Sequence, residues 1–199
     1  MLRVQQAQAA ADGEVVGMAD EGIQERQAAP TSLDDLFRRL GRAPGAGDGV
    51  NTPLDLRDAD LTGLDLSVLH LLVVDLRGAR LAGADFSRVS LSGSDFRGAD
   101  LRQARFSEAD VSDAHFDNAN LTEATFAHAD ISGACFDGAT MHRTTLNHAD
   151  ASYATFTGTH LGGASLHSAD VSAADLADAH FDAQTVLTNI TRDAQTRLP

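Results

Sequence analysis

The chain of 199 residues has no tryptophan, no lysine, one tyrosine and one cysteine. A single cysteine, Cys135, excludes an internal disulfide framework and suits a reducing, cytoplasmic setting. Without lysine, all 15 basic residues are arginine, which together with abundant Ala, Gly and Asp fits a GC-rich bacterial genome. No basic stripe exists, and the net charge of −14 has the wrong sign for direct contact with nucleic acid. Long hydrophobic runs are also missing. The start lacks the apolar core of roughly 7–15 residues that marks a signal peptide, and no segment is suited to span a bilayer. There is no phosphate-binding glycine loop and no nucleophile–base arrangement. Catalysis is therefore not expected, and neither is a cofactor or a metal.

What the sequence does have is a period. Every fifth residue is apolar from Leu56 through Leu61, Leu66 and onward to Phe181 and Val186, twenty-seven positions in all, of which only Ala151 is small. Eight of the nine phenylalanines fall in this register. Five residues turn about 500° on an α-helix, so these positions would never share a face. On a continuous strand an odd step alternates faces. The chain must therefore bend once per five residues, returning each apolar side chain to a shared interior.

The companion positions agree. From Ala59 to Ala179, two residues before each centre stands a small or aliphatic residue, with Ser94, Thr144 and Thr159 as exceptions. Nine glycines, Gly63 to Gly163, fall two residues after a centre, where a bend needs permissive backbone angles. Units such as Ala84-Asp85-Phe86-Ser87-Arg88, Ala99-Asp100-Leu101-Arg102-Gln103 and Ala119-Asn120-Leu121-Thr122-Glu123 resemble the pentapeptide-repeat family. The resemblance covers residues 52–186. It implies an all-β fold, a right-handed quadrilateral β-helix with four pentapeptides per coil. The uninterrupted rod is most similar in style to the loop-less mycobacterial quinolone-resistance members.

With four units per coil, residues twenty apart stack. One interior column then reads Leu56, Leu76, Phe96, Phe116, Phe136, Phe156, Leu176, and a second reads Leu66, Phe86, Phe106, Phe126, Leu146, Leu166, Val186. The sorting of Phe into two columns supports the twenty-residue coil. A solenoid needs caps at both ends. Residues 31–41 read as a short N-terminal capping helix: Ser32 or Thr31 starts it, Gly41 stops it, and Leu33, Leu36, Phe37 and Leu40 share one face. Residues 1–30 read as a mobile extension, 42–51 as a linker and 187–199 as a C-terminal cap or tail. That tail has only Leu187, Ile190 and Leu198 as large apolar cover, which points to a homodimer through the solenoid end.

Charge is unevenly spread. Residues 52–105 carry eight acids and seven arginines, whereas 106–186 carry twelve acids and one arginine, Arg143. Arg57, Arg77 and Arg97 stack beside Asp55, Asp75 and Asp95 and can neutralise them. The later half has a column of Asp110, Asp130, Asp150 and Asp170, at about 4.8 Å spacing, where like charges repel. Its eleven net charges over roughly 19 Å give about 0.6 per Å, close to the one per ~1.7 Å of duplex DNA. Asp is also common at this family position, where it can bond nearby turn backbone.

Family members of known biochemistry resemble DNA in shape and charge, and bind DNA gyrase or topoisomerase IV. The resemblance thus implies a DNA mimic that binds a type II topoisomerase and protects it from inhibitors such as fluoroquinolones. The candidate partner-binding face is Asp110, Asp130, Asp150 and Asp170, aided by Asp113, Asp117 and Asp137. The alternative is a non-catalytic interaction scaffold with another partner, engaged through residues 1–41 or one face. His128 and His148 stack one coil apart, as do His160 and His180, but neither pair has an obvious third metal ligand.

Overall fold

The computed structural model describes Leu36, residues 53–67 and residues 73–199. The extension 1–30, the candidate helix 31–41 and the linker 42–51 lie outside the described residues, apart from Leu36, which is buried within the apolar core.

Among the described residues from Leu54 to Phe181 the chain repeats one five-residue unit. The two named strands, β1 (Leu54–Asp55) and β2 (Val74–Asp75), pair in parallel with a register of twenty. The same step continues as a ladder of isolated parallel bridges, among them Asp60↔Arg80, Asp65↔Asp85, Asp75↔Asp95 and Ser90↔Asp110. Four bridge positions recur per twenty residues, so the described residues form a β-helix solenoid of parallel coils.

The hydrogen bonds explain why this unit closes. In the unit centred on Leu121, Asn120 N–H donates to Ala99 O of the previous coil (2.9 Å), while Leu121 N–H donates to Thr140 O (2.7 Å) and Glu123 N–H to His142 O (2.8 Å) of the next. Ala124 N–H closes the turn on Leu121 O at 3.0 Å. One amide per unit is left, that of the residue after the centre. The residue before the centre supplies its acceptor: Thr122 N–H donates to Asn120 Oδ1 at 3.2 Å. Asp and Asn therefore complete the backbone accounting that a buried ladder requires.

Among the described residues the position two after a centre is left-handed at nearly every step, with Asp178 an exception. Nine glycines there have φ of 66–69°, but so do Arg88, Glu108, Asp113, His128, Tyr153 and others at φ of 55–63°. None of the residues with positive φ is β-branched, since a branched Cβ is the most crowded by the left-handed backbone. The small position before each centre is filled by buried Ala at nearly every step. The polar exceptions are satisfied in place: Thr144 and Thr159 donate their hydroxyls to Leu121 O (2.8 Å) and Phe136 O (2.7 Å), and Ser94 Oγ accepts from Val74 N–H (3.1 Å).

The phenylalanines form the two expected columns. Phe96, Phe116, Phe136 and Phe156 stack face to face at 4.7–5.1 Å between centroids, as do Phe86, Phe106 and Phe126 at 4.7–4.8 Å. Rings of the two columns meet edge to face at 5.7–5.9 Å, the arrangement that aromatic quadrupoles favour.

The register predicted through Val186 ends at Phe181. Bridges then slip, from Ser165↔Val186 to Asp170↔Thr191 and Asp175↔Arg197. The cause is a four-residue turn, Asp182-Ala183-Gln184-Thr185, one residue longer than its predecessors. It recurs as Asp193-Ala194-Gln195-Thr196. In each turn the Asp Oδ1 accepts an amide of the previous coil, Gly163 N–H (2.9 Å) or Ala173 N–H (3.0 Å). In each the Thr hydroxyl donates to a carbonyl of that coil, Leu161 O (2.9 Å) or Val171 O (3.0 Å). Val186 consequently moves to the bridge position and is 37% exposed, while Leu187 follows it into the centre position. Residues 187–197 thus add bridges to the solenoid, and Ile190 and Leu198 pack against its core.

Candidate protein-binding face

Each of the four bridge columns, with the unit around it, is called a side and takes the name of one central residue. Along the chain the order is the Val111 side, the Phe116 side, the Leu121 side and the Phe126 side, after which the next coil begins at Ile131.

Ser90, Asp110, Asp130, Asp150, Asp170 and Thr191 form one continuous bridge column on the Val111 side. The four predicted aspartates are thus rungs of a single ladder, with Asp130 and Asp150 exposed and Asp110 and Asp170 half-buried. Each Oδ1 accepts the amide of the serine two residues on: Ser112 (3.1 Å), Ser132 (2.9 Å), Ser152 (2.9 Å) and Ser172 (2.9 Å). The hydroxyls of Ser112, Ser132 and Ser172 donate to the same oxygens. One carboxylate oxygen of each rung therefore serves the fold.

The other three predicted acids do not share that column. Asp113 stands at the corner after the Val111 unit, left-handed at φ 55°. Asp117 and Asp137 lie one above the other at the corner after the Phe116 side. Asp137 Oδ1 accepts Thr157 N–H at 2.9 Å. Asp117 Oδ2 has no hydrogen-bond partner, and His115 Nδ1 lies 3.8 Å from it.

The sorting is sharper than the sequence reading. Of the twelve acids in residues 106–186, nine lie on the Val111 and Phe116 sides or the corners that follow them: the seven above plus Asp175 and Asp178. Those two adjacent sides hold no arginine between 106 and 186. Arg197, in the last coil, pairs with Asp175. The Leu121 and Phe126 sides carry only Glu108, Glu123 and Asp182, with Arg143 3.5 Å from Glu123. Sequence reasoning missed Asp175 and Asp178, although their places were countable. Asp175 falls in the column of His115, Cys135 and Thr155, and Asp178 in that of Asn118, Gly138 and Gly158, each reached by twenty-residue steps.

The earlier coils are neutralised as expected. Arg57, Arg77 and Arg97 pair with Asp55, Asp75 and Asp95 at 2.5–2.6 Å, and Arg57 and Arg77 also reach the aspartate one coil on at 3.5–3.6 Å. The Arg105 guanidinium, hydrogen-bonded to Asp85, holds that carboxyl down at about 2. Cys135 is half-buried between His115 and Thr155, and burial pushes its thiol up, away from the thiolate that reactive cysteines need.

Residues 74–107, 104–143 and 144–182 match the profile of pentapeptide repeats, and the chain belongs to the pentapeptide-repeat family. No curated protein matches its sequence. Among solved structures it is similar to QnrB1, a plasmid-mediated fluoroquinolone resistance protein, at 19% identity over 74% of this chain and 87% of that one, with a TM-score of 0.46. A pentapeptide repeat protein from the Arabidopsis thaliana thylakoid lumen matches at 25% identity over 60% of this chain and 77% of that one, with a TM-score of 0.31. HetL, involved in heterocyst differentiation regulation in Nostoc, matches at 22% identity over 80% and 94%, with a TM-score of 0.23. Among the described residues, no helix is long and apolar enough to cross a membrane.

Proposed function

We propose that this protein is a non-catalytic DNA mimic that docks its acidic side on the basic DNA-binding surface of a type II topoisomerase, DNA gyrase or topoisomerase IV. Modulation of that enzyme, or its protection from inhibitors such as fluoroquinolones, follows from occupying the DNA site. The observation that carries the reading is the gathering of nine acids on two adjacent sides with no arginine between 106 and 186. A partner that grips duplex DNA presents cations at the spacing of phosphates. A rigid ladder of carboxylates meets that pattern without reorganisation, and association driven this way is fast and salt-sensitive. The right-handed, four-sided cross-section implied by the family belongs to this reading. So do a cytoplasmic setting and a homodimer through the C-terminal coil, where Val186 and Leu187 are 37% and 36% exposed.

The test is a gyrase supercoiling assay with purified protein, with and without a fluoroquinolone, comparing wild type with D110N/D130N/D150N/D170N. Inhibition or drug protection by wild type, lost in the variant, is expected. Gyrase binding that does not change between low and high salt would falsify the mimicry.

A second reading is favoured by the rung hydrogen bonds, because Asp at this position already has a structural purpose. On that reading the rod is an interaction scaffold with another partner. A pull-down whose captured protein is not a topoisomerase, and is lost on deleting residues 1–41, would favour it.

A further inference from the structure

Tyr153, the only tyrosine of the chain, takes no part in the apolar core. At 68% it is the most exposed of the large hydrophobic side chains among the described residues. Its place is specific. The corner column Gly93, Asp113, Gly133, Tyr153 and Ala173, left-handed throughout at φ of 55–69°, separates the Val111 side from the Phe116 side. Those are the two acidic sides, so Tyr153 stands on the ridge that they share, with the exposed rungs Asp130 and Asp150 on one flank.

The column leaves this side chain uncrowded along the rod axis. One coil before it is Gly133, with no side chain, and one coil after it is Ala173, with a single methyl. The Asp113 carboxylate leans over Gly133 into the space that a side chain would take there. It therefore sits about one coil height, ~4.8 Å, before the Cβ of Tyr153. A cation is attracted to an aromatic face within about 6 Å of the ring centroid. A planar guanidinium lies flat on such a face and keeps its edge N–H groups free for a carboxylate, whereas an ammonium has no plane to stack. Ring, gap and carboxylate thus match the two needs of an arginine side chain.

We propose that Tyr153 is the aromatic anchor of the acidic ridge: its ring stacks on one arginine of a basic protein partner, and Asp113 takes the edge of that guanidinium. This rests on the reading of the acidic sides as the docking face, and it makes that face selective for arginine over lysine. Carboxylates spread along the rod attract any cation. A single ring at the centre of the face adds a contact that only one kind of side chain makes fully, and interface energy concentrates at central aromatics of this sort.

The test uses the full chain with fluorescein-labelled deca-arginine and deca-lysine, equal in charge, and reads affinity by anisotropy in low salt. Tyr153→Ala should weaken deca-arginine about fivefold, the size of an exposed cation–π contact, and deca-lysine less than twofold. Alanine suits the backbone there, since Ala173 has a φ of 57° in the same column. Tyr153→Phe keeps the ring and should bind as wild type does. Asp113→Asn should weaken deca-arginine more than Glu123→Gln, which removes one charge from the Leu121 side. With no tryptophan in the chain, intrinsic emission comes from Tyr153 alone, and unlabelled deca-arginine should change it saturably. Equal losses for both peptides in Tyr153→Ala, a matching loss in Tyr153→Phe, equal effects of Asp113→Asn and Glu123→Gln, or emission indifferent to saturating deca-arginine overturns the proposal. A supercoiling assay beside these titrations separates the two readings. The arginine effect with no response from gyrase rejects the topoisomerase and keeps the anchor; a gyrase response with equal peptide losses rejects the anchor and keeps the topoisomerase.

Discussion

Replacing the four rungs tests whether they serve the fold as acceptors or as charges. In D110N/D130N/D150N/D170N each Oδ1 can still accept the serine amide, as Asn120 already does for Thr122 at 3.2 Å. Two terms oppose each other. Three neighbouring carboxylate pairs at about 4.8 Å repel by about 0.9 kcal/mol each in water, roughly halved by physiological salt, so neutralisation recovers about 1.3 kcal/mol. Exchanging charge-assisted for neutral hydrogen bonds loses about 0.5 kcal/mol per rung, or about 2 kcal/mol in all. The asparagine set should therefore lie within about 1 kcal/mol of wild type. Alanine at the same positions leaves four amides without their acceptor, about 1 kcal/mol each, and after the same relief should lose about 3 kcal/mol. Urea unfolding at about 0.15 M salt, followed by far-UV circular dichroism, separates the two sets. If the asparagine set loses as much as the alanine set, the acceptor account of this position is wrong, and the asparagine variant is no longer a clean probe of the binding face.

Other consequences can be measured alongside. Phe116→Ala removes a ring that touches Phe96, Phe106, Phe126 and Phe136. It should cost about 3–5 kcal/mol and, because coils couple to neighbours only, broaden or split the calorimetric transition. Gly158→Ala meets only the φ of 66° and should cost about 1 kcal/mol. Gly133→Ala also meets the Asp113 carboxylate and should cost more, with the excess cancelled in D113A/G133A. Asp85 is depressed to about 2 by Arg105. Its stabilisation is full above the ordinary value and is lost as pH falls towards 2, so Arg105→Gln should weaken the pH dependence of stability across that window. Thr185→Val and Thr196→Val remove the hydroxyl bonds to Leu161 O and Val171 O. Hydrogen exchange should then quicken in residues 182–197 and stay slow near Phe116.

The coil was legible because a fixed short period leaves few geometries, and because seven of the eight phenylalanines in register fall in two of the four columns. The aspartate ladder was legible for the same reason: once residues twenty apart stack, a column is arithmetic. The role of those aspartates as acceptors was not, since it depends on which single amide the ladder leaves free. Nor were the left-handed corners at Glu108, His128 or Tyr153, whose side chains carry no mark of positive φ as glycine does. The last coil was misread at Val186 because an apolar residue happened to fall on the five-residue count. The repeated Asp-Ala-Gln-Thr, eleven residues apart, was the signal that the count had changed.

The twenty-residue register also limits how such a rod can lengthen over generations. Duplicating one whole coil adds a rung and leaves every column pointing where it did. Duplicating a single pentapeptide moves everything beyond it by one bridge column, so that phenylalanines would stand over leucine or valine columns and the acidic side of the later coils would look in a new direction. Such a change breaks the aromatic columns at the junction as well as turning the docking side, which leaves the whole coil as the piece whose duplication lengthens the rod and keeps its face.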